Sequence, residues 1–185
     1  TLNGSALQKQ DDKFDVNFSK LALGEVFDLQ LSVKPNSEIV VSGGQLNMQE
    51  FLKLPIAINS SEKSAPLSIY LDELKLYEKQ IITRLTAIMD AVGKGVFSGS
   101  LNDLASFGGN ITKIEDGYSV QAQSNNAGAF VRALGAAKAA DGGTAELSLR
   151  HLKDSQGMRG RLKIKNIRLR NMPALLELLD AISIV

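Results

Sequence analysis

Apolar residues in the first half of the chain recur at every second position, and this alternation constrains the fold more than any other feature. It runs through Phe14, Val16 and Phe18, through residues 27–33, and through Leu67 to Leu71. Successive side chains of a β-strand point to opposite faces of the sheet. A period of two therefore predicts strands with one apolar and one wet face.

The second half of the chain shows short strand patterns separated by turn signals. Asp116-Gly117 predicts a hairpin between residues 110–115 and 118–123. Two further strands are predicted at 144–152 and 159–170.

Two helices are predicted within this second half. The first covers residues 126–134, with Asn125 or Asn126 as the N-cap and Gly135 as its left-handed end. We expect Phe130 and Leu134 to dock against the sheet, with Arg132 in solvent. The second begins at Pro173. Its apolar stripe has the spacing of one helix face and consists of Leu175, Leu178, Leu179 and Ile182.

These patterns predict a mainly β chain: a long antiparallel sheet with short amphipathic helices, α+β by content. An alternating βαβ pattern, typical of Rossmann-like and barrel enzymes, is missing. Residues 72–92 fit either a helix or extended structure, and periodicity does not separate the two.

The most specific local pattern is the alternation of basic and apolar residues at 159–170. Its parity slips near Asn166, and a β-bulge there would keep Leu162, Ile164, Ile167 and Leu169 on one face. The basic side chains then form either an ordinary wet face or a stripe that binds phosphate. Because no aromatic residues for base stacking interrupt the stripe, we expect no nucleic-acid partner.

Residues with catalytic or metal-binding potential are too few and too scattered for a site. The chain has no cysteine and one histidine, His151, without a Ser/His/Asp signature around it. Acidic neighbours such as Asp72 and Glu73 would point to opposite faces of a strand. The glycine clusters match neither phosphate-loop motif. We therefore predict a protein that is not an enzyme and that uses no cofactor or metal.

Composition is that of a globular domain, with 44% hydrophobic and 22% charged residues. A net charge of +1 demands no strongly charged partner. No apolar run reaches the ~18 residues of a membrane helix. Because the last residues, 175–185, are strongly apolar, we expect residues 1–185 to be a single segment of a longer protein, truncated at both ends.

Two stretches resemble the AsmA-like envelope protein family, in particular its YhdP-type subgroup. Residues 125–135, NNAGAFVRALG, are similar to one conserved block of that family. Residues 160–176, GRLKIKNIRLRNMPALL, are similar to a second block, in the same order and at about the same distance. Asn126, Asn166 and Asn171 stand where the family usually has Asp.

This resemblance implies a periplasmic segment of a protein anchored in the bacterial inner membrane. It also implies an open, twisted β-groove that carries phospholipid toward the outer membrane. Its partners would be phospholipid, neighbouring segments of the same chain and membrane proteins at either end. The residues predicted to line the groove are Leu29, Leu31, Leu162, Ile164, Ile167 and Leu169.

Two alternatives stay open at this level. The chain could be a structural or assembly factor that binds envelope proteins through a free sheet edge. A cytosolic nucleic-acid module is the third reading, and it would show steeply salt-dependent binding. The same alternation that lines a groove would also serve a closed core.

Overall fold

The protein is mainly β, as the alternation predicts. In the computed structural model, strands account for 66% and helices for 8% of the described residues. The described residues are 1–8, 14–54, 65–77, 79–115, 117–136, 138–152 and 158–169. The chain divides into two compact units, unit 1 (Thr1–Phe97) and unit 2 (Ser98–Val185).

Unit 1 is one open sheet with a single short helix among its described residues. In sequence order its elements are β1 (Leu2–Gln8), β2 (Phe14–Leu23), β3 (Phe27–Val33), β4 (Ile39–Asn47), α1 (Met48–Phe51), β5 (Leu67–Tyr77) and β6 (Gln80–Met89). Strands β1 to β6 are neighbours in that same order. Strand β7 (Gly95–Leu101) begins in unit 1 and ends in unit 2.

One strand pair departs from the predicted antiparallel arrangement, because β4 and β5 are parallel. Parallel neighbours need a crossover of a dozen or more residues, and residues 48–66 supply one. The start of the pair is held by two hydrogen bonds. The Ile39 amide donates to the Pro66 carbonyl (2.9 Å), and the Ser68 hydroxyl donates to Glu38 Oε1 (2.7 Å).

The ambiguous stretch 72–92 is extended over 72–77 and 80–89, where β5 pairs with β6 as an antiparallel hairpin. Ile81, Ile82 and Thr83 are β-branched, which favours a strand over a helix. Gly43 and Gly44 lie inside β4 with φ of +70° and +59°. They form an irregularity opposite Asp28, where the Gly44 Cα approaches the Asp28 backbone too closely for a side chain.

Unit 2 combines an antiparallel sheet with one helix and a small second sheet. Its elements are β8 (Ala105–Ile114), β9 (Gly117–Ser124), α2 (Ala127–Ala133), β10 (Ala140–Asp141), β11 (Thr144–Leu152), β12 (Met158–Lys165) and β13 (Arg168–Leu169). The main sheet has the order β7-β8-β9-β11-β12, and β10 pairs with β13.

Helix α2 has the ends that its sequence predicts. Asn126 Oδ1 accepts the Ala129 amide at 2.9 Å, so Asn126 is the N-cap. Gly135 is left-handed, with φ of +76°. Its amide donates to the Arg132 carbonyl, and the Ala136 amide donates to the Val131 carbonyl, as in a Schellman motif.

The face that α2 buries differs from our prediction, in which Phe130 and Leu134 dock on the sheet and Arg132 faces solvent. The buried residues are mostly small: Ala127, Gly128, Ala129, Val131 and Ala133. Leu134 is 37% exposed. Phe130 is half-buried and meets Phe107 edge to face, with ring centroids 6.4 Å apart. The half-buried Arg132 guanidinium donates to the Ala140 carbonyl.

Small residues are selected on this helix because its backbone lies directly on the chain at β10. The Gly128 amide donates to the Gly142 carbonyl at 2.8 Å, and the Ala127 amide donates to the Gly143 carbonyl at 3.0 Å. A Cβ at position 128 would come within 2.6 Å of the Asp141 backbone nitrogen. Any side chain there would push the helix away from β10.

The parity slip predicted near Asn166 is present, but it is a strand end rather than a bulge. Strand β12 stops at Lys165, and Asn166 takes a left-handed conformation with φ of +56°. Asparagine tolerates this conformation better than most residues. The chain then joins the second sheet as β13. The helix predicted from Pro173 onward lies outside the described residues.

We expect Gly128→Ala to destabilise the protein, although alanine in a helix is normally ~1 kcal/mol better than glycine. Overlap with the Asp141 backbone should cost ~1–3 kcal/mol, as in other overpacked sites. Gly135→Asn is the matched control, because position 135 is left-handed and a Cβ there would meet no atom within 4 Å. Urea unfolding of both variants measures the difference. A Gly128→Ala variant as stable as the wild type would contradict this packing.

Acid should weaken the β4–β5 pair through Glu38. Its hydrogen bond from Ser68, and secondly that from Lys34, lower the pKa of Glu38 below its ordinary value of 4.5. A lowered folded-state pKa gives a stabilisation that is present above pH 4.5 and lost as pH falls through the folded-state pKa. In Ser68→Ala the pKa of Glu38 should rise, as measured by NMR titration. Ser32→Ala is the control and should leave it unchanged; equal values in both variants would refute the role of Ser68.

Candidate functional site

Apolar side chains from five adjacent strands form a continuous surface on one side of the unit 1 sheet. Cross-strand partners share a face, so the register defines this surface directly. We call it the unit 1 apolar face; its two rows are Val16, Val33, Ile39, Leu67 and Met89, and Phe18, Leu31, Val41, Ile69 and Ala87. Each row crosses five strands, a span of ~19 Å at the usual strand spacing.

The described helix of unit 1 is far too small to cover this surface. Helix α1 has four residues, or ~6 Å, whereas the eleven residues of β5 extend over ~36 Å. Of the ten residues in the two rows, only Ala87 is buried, and the other nine are half-buried. The unit 1 apolar face therefore keeps water-accessible area along both of its rows.

A second apolar surface lies on the unit 2 sheet. Two rows of cross-strand partners define what we call the unit 2 apolar face: Ile111, Val120 and Leu149, and Ala122, Leu147 and Leu162. Glycines complete both rows, Gly160 in the first and Gly109 in the second. All six apolar residues are half-buried.

The next row of unit 2 is covered, and α2 covers it. Ser124, Ala145 and Ile164 are cross-strand partners in this row, and the first two are buried. Ile164 packs against a cluster that contains the helix residue Val131. The seven residues of α2 span ~10 Å, about a third of the ~30 Å length of β11. The helix therefore covers this end of the sheet and leaves the unit 2 apolar face open to it.

The six residues predicted to line a groove fall into two environments. Leu31 belongs to the unit 1 apolar face, and Leu29 shares its side of β3. Leu162 belongs to the unit 2 apolar face. In contrast, Ile164, Ile167 and Leu169 pack against the small cluster of Val131, Ala136 and Ala140. These last three hold α2 and β13 onto the sheet, so the structure gives them a packing role.

Sequence reasoning missed most of the residues of the unit 2 apolar face. Ala145, Leu147 and Leu149 occupy every second position of β11, a strand whose bounds were predicted correctly, so the sequence did contain a signal for this face. Ile111 and Val120 stand in strands whose other residues are mainly polar, where alternation is faint. Only the register of β8, β9, β11 and β12 shows that these side chains meet.

The opposite, wet face of unit 2 is polar and partly basic. Asn110, Gln121, Ser148 and Arg161 form one cross-strand row. A shallow depression of about 380 Å³ lies here and includes Gln123 and Glu146 in its lining. Glu146 is the one titratable group of that lining, so the depression lacks a pair of groups for acid–base catalysis.

Other kinds of site find no support in the described part of the chain. No group of three His, Asp or Glu side chains there is arranged to hold a metal ion. No helix within the described ranges is both long and apolar enough to cross a bilayer. His151 lies in β11 opposite Met158 and Tyr118.

Comparison with known proteins returns no relatives: no protein-family model, curated protein or solved structure matches the chain. The resemblance to the AsmA-like envelope family therefore stays a prediction from the sequence.

Proposed function

We propose that this protein is a non-enzymatic lipid-binding segment that shields the acyl chains of phospholipids on its apolar sheet faces. The observation that carries the proposal is the pair of apolar faces, which the described helices are too short to cover. Shielding each CH₂ group from water is worth ~0.8 kcal/mol. An acyl chain laid on either face would therefore gain from the contact, and so would the half-exposed side chains beneath it.

The dimensions of the faces suit this ligand. A row of the unit 1 apolar face spans ~19 Å across its strands. The acyl chains of one leaflet occupy about half of the ~30 Å hydrocarbon core of a bilayer. One row is therefore long enough for a single acyl chain. Backbone polar groups inside the sheet are paired in the strand ladders, so the faces present few unsatisfied donors to a hydrocarbon.

The polar groups of the lipid would stay outside the apolar rows. Neither row of either face contains a charged side chain. We propose the periplasm as the compartment and transfer between the inner and outer membranes as the role. Both of these rest on the sequence resemblance alone.

The assembly-factor alternative requires a sheet edge that is free to pair with another strand. Strand β12 is the edge of the unit 2 sheet in the described residues, and it carries exposed Arg159, Arg161, Lys163 and Lys165. Charged side chains on an edge strand are a common device against pairing with other chains. This edge is therefore poorly suited to the alternative, which would have to use the edge strand of unit 1, β1, where Leu2–Gln8 contain no charged residue.

A pair of neighbouring substitutions tests the proposal. Leu147→Asp places a carboxylate in the unit 2 apolar face, and Ser148→Asp places it one residue along on the wet face. An unpaired charge under a hydrocarbon chain costs several kcal/mol. We therefore expect Leu147→Asp to lower the lipid retained by the purified protein, and Ser148→Asp to retain the wild-type amount. Organic extraction and mass spectrometry measure the retained lipid.

Leu147→Thr replaces Leu147→Asp in the test if the aspartate variant does not fold. Threonine is compatible with a strand and still adds a polar group to the face. Val41→Asp and Ser42→Asp are the corresponding pair for the unit 1 apolar face. Folding of each variant is checked by circular dichroism. Lipid retention that is unchanged in folded Leu147→Thr and Val41→Asp would refute the proposal, as would a wild-type protein that binds no lipid.

A further inference from the structure

The basic residues of unit 2 are concentrated on the wet face of two strands. This basic stripe consists of Arg150 of β11 and Arg159, Arg161, Lys163 and Lys165 of β12. All five are exposed. The whole chain has a net charge of only +1, with 21 basic and 20 acidic residues. The stripe is therefore a local excess of positive charge in a nearly neutral chain.

Among the residues that the structure describes on these two strands, the one carboxylate beside the stripe, that of Glu146, lies at one end of it. Glu146 is the cross-strand partner of Lys163, and its Oε1 lies 3.2 Å from Lys165 Nζ. At the other end, Arg150 and Arg159 are direct cross-strand partners. The other partners at that end are neutral: Ser119 lies opposite Arg150, and Ser148 lies opposite Arg161.

Two arginines directly opposite each other are an unfavourable pair in a sheet. Protection of the β12 edge needs charge, but charge of either sign serves that purpose. Edge protection alone therefore does not account for five cations of one sign, nor for the opposed arginines. An anionic partner would convert this repulsion into attraction, because guanidinium groups bind phosphate oxygens in a bidentate manner.

We infer that the basic stripe docks the protein on a bilayer that contains anionic phospholipids. Residues 159–165 extend over ~20 Å along β12, and neighbouring cations lie within one Debye length, ~8 Å, of each other. The stripe can thus act as one charged surface on many headgroups. Strands β11 and β12 place Leu147, Leu149 and Leu162 on their other side, so docking leaves the unit 2 apolar face unobstructed by headgroups.

The choice of a lipid partner over a nucleic acid rests on the proposed function and on the residues beside the stripe. The neighbouring positions on the wet face are Ser119, Gln121, Gln123 and Ser148. They offer no aromatic ring on which a base could stack.

Vesicle co-sedimentation of the full chain tests the inference. The probes are phosphatidylcholine vesicles with and without about a third of phosphatidylglycerol, at low and high salt. Each cation near an anionic surface strengthens binding about fivefold, so the double variant Arg159→Gln with Arg161→Gln should bind about 25-fold more weakly. The control removes the same two charges elsewhere, by Lys94→Gln with Lys113→Gln, and should bind within about twofold of the wild type.

Three results would overturn the inference: equal binding to neutral and anionic vesicles, equal losses in the two double variants, or tighter binding to double-stranded DNA than to the anionic vesicles. Lipid retention by the purified variants is measured in parallel. Weak vesicle binding by wild-type protein that retains lipid would overturn the docking inference alone. Salt-sensitive vesicle binding by protein that retains no lipid would support docking and refute the proposed function.

Discussion

The apolar area of the two sheets is larger than the described helices can cover, and the rest of the structure depends on this excess. Ten residues of unit 1 and six of unit 2 form apolar surfaces on their sheets, and the described helices of four and seven residues cannot cover them. Full burial of an aliphatic side chain stabilises the folded state by ~1.5–3 kcal/mol, and a half-exposed side chain contributes only part of this free energy. Accordingly, most of the buried hydrophobic residues in the described chain are alanines, and no large side chain there is fully buried. In the described part of the chain, both sheets therefore keep apolar area that no described helix covers.

Helix α2, which does cover part of a sheet, lies in very close contact with the chain beneath it. Helix α2 sits on β10 through Gly128, and Gly143 approaches the backbone of residues 165–167 just as closely. The left-handed Asn166 then turns the chain from β12 into β13. Ile164, Ile167 and Leu169 complete this end of unit 2 by packing against the cluster of Val131, Ala136 and Ala140. A closely packed end therefore adjoins a half-exposed apolar surface on the same strands.

Much of this architecture was readable from the sequence, because strand alternation and helix caps are local signals. The strands at 27–33 and 67–71, an asparagine N-cap at 125 or 126 and the left-handed Gly135 were predicted correctly. The parallel pairing of β4 and β5 was not, because it depends on a crossover and not on either strand.

The site was harder to predict than the fold, for a related reason. Period two shows that Ile164 and Leu162 share a face, but only the tertiary position of α2 separates a covered residue from an open one. The buried face of α2 was also misjudged, because hydrophobicity favoured Phe130 and Leu134. Backbone contact with β10 selects small residues instead.

The central claim, that acyl chains lie on the apolar faces, is tested most directly by fluorescence quenching. The chain contains no tryptophan, so one introduced indole reports on one position. Leu147→Trp and Ser148→Trp place it on opposite faces of the same strand. With phospholipids brominated on their acyl chains, quenching is expected for Leu147→Trp and not for Ser148→Trp. Equal quenching of the two, or quenching of Ser148→Trp alone, would contradict the account.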